Sequence, residues 1–234
     1  MCTVSVIALP RHGIRLVINR DESDQRPPAI PPRWRDVGSG VRAIWPQDPQ
    51  GGGTWVAAND AGLVFAILNQ NLKPGPPLPA IVRSRGEIIP SLAASRSLSG
   101  ATILARALHV ANYPPFRLVI ASAREEVSPV AAVGSWDSTS WHVNHFVPVP
   151  LCLASSGLGD ALVQERVPLF RELAGRHQDA ARQDAFHAHQ WPGREHLSVM
   201  MARPGYRTVS VTTVEVDDDG VRMDSRPVAR PLSA

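Results

Sequence analysis

Cysteine is nearly absent from this chain. Only Cys2 and Cys152 occur among 234 residues, so no disulfide framework and no paired-cysteine zinc site can be assembled, and a reducing compartment is the simpler setting. Long apolar runs are missing too. No window approaches the roughly 18 apolar residues of a membrane span, and the apolar stretch from Thr3 to Leu9 is too short for a signal-peptide core. The expectation is a soluble, cytoplasmic protein with no integral membrane segment. Nor is there a block of charge. The net charge of +3 comes from 24 Lys and Arg against 21 Asp and Glu, and the basic side chains are scattered, which excludes a nucleic-acid footprint.

Several chemical signatures are present only as fragments. Gly51-Gly52-Gly53 is followed by neither Lys-Ser nor Lys-Thr and leads into a strand, so it reads as a flexible turn and not a phosphate loop. Ser155-Ser156-Gly157 lacks the preceding glycine of a nucleophile elbow. His142 with His145, and His187 with His189, have no third ligand at metal spacing, so no metal is expected.

What is present suits one domain spanning 1–234, with 44% hydrophobic residues and a loose tail from about residue 227. Val4–Leu9 and Ile14–Ile18 flank the turn Pro10–Gly13 as a hairpin, and Gly53–Ala57 with Gly62–Leu68 predict a second, turning at Ala58–Ala61. The prolines between Arg26 and Pro32 predict a surface loop. Ser84-Arg85-Gly86-Glu87 has capping-box spacing and predicts a helix into Leu92; a second, near Ala101–Val110, puts Ile103, Leu104, Ala107 and Leu108 on one face. Strands follow at Phe116–Ala121 and Val130–Val133, a helix at about Asp160–Arg176 interrupted near Pro168, and strands at Leu197–Ala202, Thr208–Val216 and briefly at Val221–Met223. The order predicts an α+β fold, and two antiparallel sheets between helices would accommodate it.

The residues with the strongest chemical meaning stand at the beginning. Loss of Met1 would leave Cys2 with a thiol and a free α-amine in one residue, a nucleophile carrying its own base. Ordinary values near about 8.5 for the thiol and 7.7 to 8.0 for the amine place both within reach of neutral pH.

Met1-Cys2, Asn19-Arg20-Asp21-Glu22, Gly52-Gly53-Thr54-Trp55 and Gly62 through Asn69, in that order, resemble the NRDE family, also called the Transport and Golgi organisation 2 family. The likeness continues through Ser84–Glu87 and more loosely at Ser155–Leu158 and Gly205–Thr208. It implies a four-layer αββα sandwich of the N-terminal-nucleophile type, similar to bile-salt hydrolases and penicillin acylases, and a cysteine amidase or acyltransferase acting on an amide or thioester. By that resemblance Cys2 is the nucleophile and Asn69 the oxyanion donor. Asp21 would hold the Cys2 amine, with Arg20 lowering the thiol pKa or ion-paired elsewhere. Adjacent strand residues face opposite sides, so Asn19 shares the face of Asp21, and at most one of Arg20 and Asp21 can line a pocket unless the strand breaks there. Asn19, Trp55 and Ser156 are expected to meet substrate, Trp55 as an apolar wall. The alternative implied function is non-catalytic trafficking or binding of haem or an acyl lipid. No cofactor is required, haem would be cargo, and the partner would be a small apolar or acylated ligand.

Overall fold

The structure, a computed structural model, describes residues 2–10, 13–77, 80–122 and 129–229. Arg11 and His12 of the first expected turn, part of the proline-rich link before Ala80, and the end of the expected loose tail lie outside them. Strand β1 (Cys2–Leu9) pairs antiparallel with β2 (Gly13–Ser23), Cys2 opposite Arg20. Both faces of this pair are buried. Val4, Val6, Ile14, Leu16 and Ile18 enter one core cluster, whereas Ile7 joins Phe170, Phe186 and Val199 in another. Because side chains alternate across a strand, two cores mean that this sheet is an inner layer.

Four further strands complete the sheet around β1 and β2: β10 (Leu151–Ala154) on β1, β12 (Tyr206–Asp217) on β2, and both β11 (Ala202–Arg203) and β13 (Gly220–Pro227) on the far edge of β12. The second sheet runs in sequence order from β3 (Ile30–Asp36) through β4 (Arg42–Gln47), β5 (Val56–Asn59), β6 (Leu63–Asn69), β7 (Phe116–Ser122) and β8 (Val130–Trp136) to β9 (Trp141–Pro148). Helix α1 (Ile88–Leu92) packs on β6, and α2 (Leu98–Arg106) packs on β7, β8 and β9. On the other side α3 (Arg166–Phe170) packs on β10 and α4 (Ala180–His187) on β1 and β2. With β1 and β12 meeting β6 between the sheets, the architecture is the expected αββα sandwich.

Local departures from the sequence reading have physical causes. Pro31 and Pro32 sit inside β3, where a loop is expected, because β3 is an edge strand and its register to β4 shifts between Ile30 and Arg33, so neither proline need donate to the ladder. The second hairpin turns later than expected: Asn59 ends β5, its side chain donates to the carbonyls of Ala93 and Ser95, and Gly62 takes a φ of +90°. The capping box is half formed. Ser84 accepts from the Gly86 amide at the start of a short 3-10 turn, but Glu87 is bound by Arg83 instead of the cap. Helix α2 buries Leu98, Ala101, Thr102 and Ala105, leaving Ile103 and Leu104 outside. The segment 160–176 breaks into a 3-10 turn, α3 and a π-helical turn at Arg171–Gly175, and Leu197 closes a 3-10 turn where a strand is expected.

Candidate active site

A cavity of about 440 Å³ opens where β1 and β2 end, and Cys2 and Arg20 lie on its lining. Parity dictates this placement. Cys2 lies on the face of Val4 and Val6, and Arg20 directly opposite it on the face of Ile18, so both project between the sheets. Arg20 stacks on Trp55 with its guanidinium carbon 4.3 Å from the ring centre, and Asn69, at the end of β6, completes the wall across from them. The thiol is buried, and burial pushes it above its ordinary range, against a hydrogen bond from the Asp21 backbone amide. Ser155 grips the backbone of Cys2 on the opposite edge: its amide donates to the Cys2 carbonyl at 2.9 Å, and its hydroxyl accepts from the Cys2 nitrogen at 3.3 Å.

The Asp21 carboxylate takes the other face. It points to the helix layer, where Thr208 Oγ1 donates to it at 2.6 Å and Arg166 Nη1 lies at 3.8 Å. Regular alternation would put Thr208 on the wrong side; the register of β12 against β2 shifts between Thr208 and Ser210, and this bulge turns the Thr208 hydroxyl towards Asp21. Arg166 is almost wholly buried, donating to Thr3 Oγ1 at 2.7 Å and to the Leu197 carbonyl at 2.9 Å. Burial pushes the Asp21 carboxyl up, while Arg166 and the Thr208 hydrogen bond favour its ion. The Cys2 nitrogen donates to Ser155, and Arg20 and Asp21 both border the cavity beside the thiol.

Two expected substrate contacts are not on the cavity lining. Asn19 shares the face of Asp21, as parity requires, and there its amide donates to the carbonyls of His187 and Val199 while its oxygen bonds His187 Nδ1. Ser156 is buried; its amide donates to Asp160 and its hydroxyl accepts from Leu158. His187 is a core residue held by Ser5 and Asn19, its pKa driven down to about 3 by burial and the Arg15 charge. No group of three metal-ligating side chains occurs among the described residues.

The remaining wall comes from motifs whose role the sequence does not disclose. Gly53 is a point of backbone contact and not a flexible turn residue: a Cβ there would stand 2.3 Å from the Gly86 carbonyl carbon, and Thr54 donates to the Gly86 carbonyl at 2.9 Å. That contact fixes Arg85 at the cavity, where Nη1 donates to the Pro115 carbonyl at 2.9 Å. Asp48 joins Arg26 in a close ion pair and Arg20 at 3.5 Å; burial works to raise its carboxyl, but the Arg26 hydrogen bond and the nearby cations hold it below the usual range.

A family model described as Transport and Golgi organisation 2 matches residues 1–223. The chain belongs to that family. A sequence comparison with curated proteins finds no match. Among solved structures, the chain is similar to penicillin V acylase from Agrobacterium tumefaciens at 12% identity and TM-score 0.55, covering 97% of this chain and 84% of that one. It is also similar to the Caenorhabditis elegans ortholog of N-acylethanolamine-hydrolyzing acid amidase, at 12% identity and TM-score 0.56, covering 91% and 92%. A variant of conjugated bile acid hydrolase from Clostridium perfringens matches at 12% identity and TM-score 0.50, covering 97% and 92%. At this identity the likeness is one of fold, the N-terminal-nucleophile sandwich. Within the family motifs, the Asn-Arg-Asp-Glu segment divides its residues between the two faces of β2.

Proposed function

We propose that this family member is a cysteine hydrolase or acyltransferase that acts on an amide or thioester through Cys2, once the peptide bond before Cys2 is cut. The observation that carries the reading is the placement of Cys2: a buried thiol at the end of an inner strand, opening into a cavity that also presents Arg20 and Asn69. Three structural neighbours named as an acylase, an amidase and a hydrolase support it by fold. While Cys2 is peptide-bonded, burial keeps its thiol protonated. Cleavage would supply an α-amine in its place, gripped by Ser155, with the Asp21 charge beneath and Arg20 favouring thiolate.

The amine takes the thiol proton, and the sulfur attacks the carbonyl carbon to form a C–S bond. Asn69 and a backbone amide donate to the oxyanion. The C–N or C–S bond to the leaving group then breaks as that group accepts the stored proton, and water or a second amine releases the acyl group. Asn69→Ala should lower kcat about 100- to 1000-fold with binding retained, the usual cost of one lost oxyanion donor. Cys2→Ser should prevent a trapped acyl-enzyme. Turnover unchanged in both variants would refute the reading.

One observation favours a second function. The raised thiol pKa means that Cys2 in uncleaved chain is poorly nucleophilic, which suits a protein that binds and hands on an acyl lipid or haem. Under that reading Cys2→Ser leaves ligand binding intact and no acyl-enzyme forms on the wild type.

A further inference from the structure

Four arginines line the cavity over Cys2, and three of them are held by carboxylates. Arg20 and Arg26 share Asp48 and Glu22, the latter at 3.8 and 3.9 Å. Arg83 is doubly hydrogen-bonded to Glu87, at 3.1 and 2.9 Å. Arg85 has no carboxylate within ion-pair distance among the described residues, and its hydrogen bond to Pro115 occupies one of five N–H donors. It is half-buried, and burial lowers its pKa while the Cys2 and Glu22 charges work to raise it, which places it within electrostatic reach of the nucleophile. Withdrawing an unpaired cation from water is costly.

The strand-to-turn contact keeps Arg85 there. Gly53 and Gly86 touch backbone to backbone with no room for a side chain on Gly53, and Ser84 caps the turn that carries Arg85. The guanidinium is thus presented in a fixed position before any ligand arrives. A planar donor fork with a single uncompensated charge matches a planar monoanion, and a carboxylate meets both conditions.

We propose that Arg85 is a specificity-determining residue that receives a carboxylate of the substrate, so that the cavity selects acyl compounds bearing a carboxylate near the scissile carbonyl. This rests on the hydrolase reading for its chemistry, but the binding can be measured without it. The probes are N-octanoyl-alanine and its methyl ester, which differ only in that charge. In Cys2→Ser, where no thioester can form, calorimetry should show the acid binding about 10- to 100-fold more tightly than the ester, in line with a charge-assisted hydrogen bond. Arg85→Met should abolish the preference at unchanged Tm, and Arg85→Lys should restore part of it.

Equal binding of acid and ester, no binding of either, or a preference that survives in Arg85→Met would overturn the assignment. So would an effect of Arg85→Met confined to the pH profile of Cys2 alkylation, which would make Arg85 a partner of the thiolate only. Intact mass of the wild type with the same probes separates the two readings. Arg85-dependent binding of the acid without a thioester at Cys2 contradicts the hydrolase and leaves the carboxylate site standing. Thioester formed equally from acid and ester does the reverse.

Discussion

At the residue scale the account turns on what single side chains exclude or neutralise. A Cβ on Gly53 would stand 2.3 Å from the Gly86 carbonyl carbon, so none fits. Gly53→Ala should therefore cost about 1–3 kcal/mol, as overpacking does, and lower Tm by several degrees in a thermal melt. It should also weaken any ligand held by Arg85, because the turn that carries Arg85 must retreat. His187 tests the electrostatics of the helix-side core. Its folded pKa of about 3 lies below the ordinary 6.5, so between those values the unfolded chain binds a proton that the folded chain does not. Stability should fall as pH drops through that window, by up to about 1.4 kcal/mol per unit from this one group. Urea midpoints measured from pH 7 to pH 4 should fall more steeply for the wild type than for His187→Gln; parallel slopes would show that His187 is not buried neutral.

At the element scale, strands with unambiguous periodicity are legible, and α1 and α2 stand where helices are expected, whereas the buried face of α2 and the breaks within 160–176 are not legible. The pairing of β1 with β2 follows from β-branched alternation, and the same parity rule turns the Arg20 and Asp21 side chains to opposite faces, yet both residues border the cavity, where only one is expected. Which of them faces Cys2 depended on the helix layer packed beneath, which alternation within one strand cannot reveal. The bulge that brings Thr208 to Asp21 leaves no sequence signal, and Arg85 was hidden in a motif that also reads as a helix cap. Strands β4, β9 and β10 and helix α4 were not anticipated; β9 alternates half-buried and exposed residues and resembles surface chain. Helix α2 shows the limit most clearly, since Ile103 and Leu104 look like its core face but α2 lies on the sheet through small residues that permit close approach. Ile103→Gln should change stability by less than about 0.5 kcal/mol. Ala105→Leu, at a fully buried position, should cost about 1–3 kcal/mol in chemical denaturation.

At the scale of the whole molecule, the site is a product of the sandwich. The cavity draws Cys2 and Arg20 from one sheet, Asn69 from the other, and Trp55 and Arg85 from two turns locked together by a glycine contact. No one segment contains it, so an N-terminal cysteine gains neighbours able to activate it only when both sheets are packed. The most direct test of the central claim is the intact mass of the purified, folded protein before and after brief exposure to an electrophilic acyl probe. The account predicts a mass lacking Met1 and one adduct, mapped to Cys2 and lost on denaturation before labelling. Retained Met1 with Cys2 unlabelled in the folded state would contradict it.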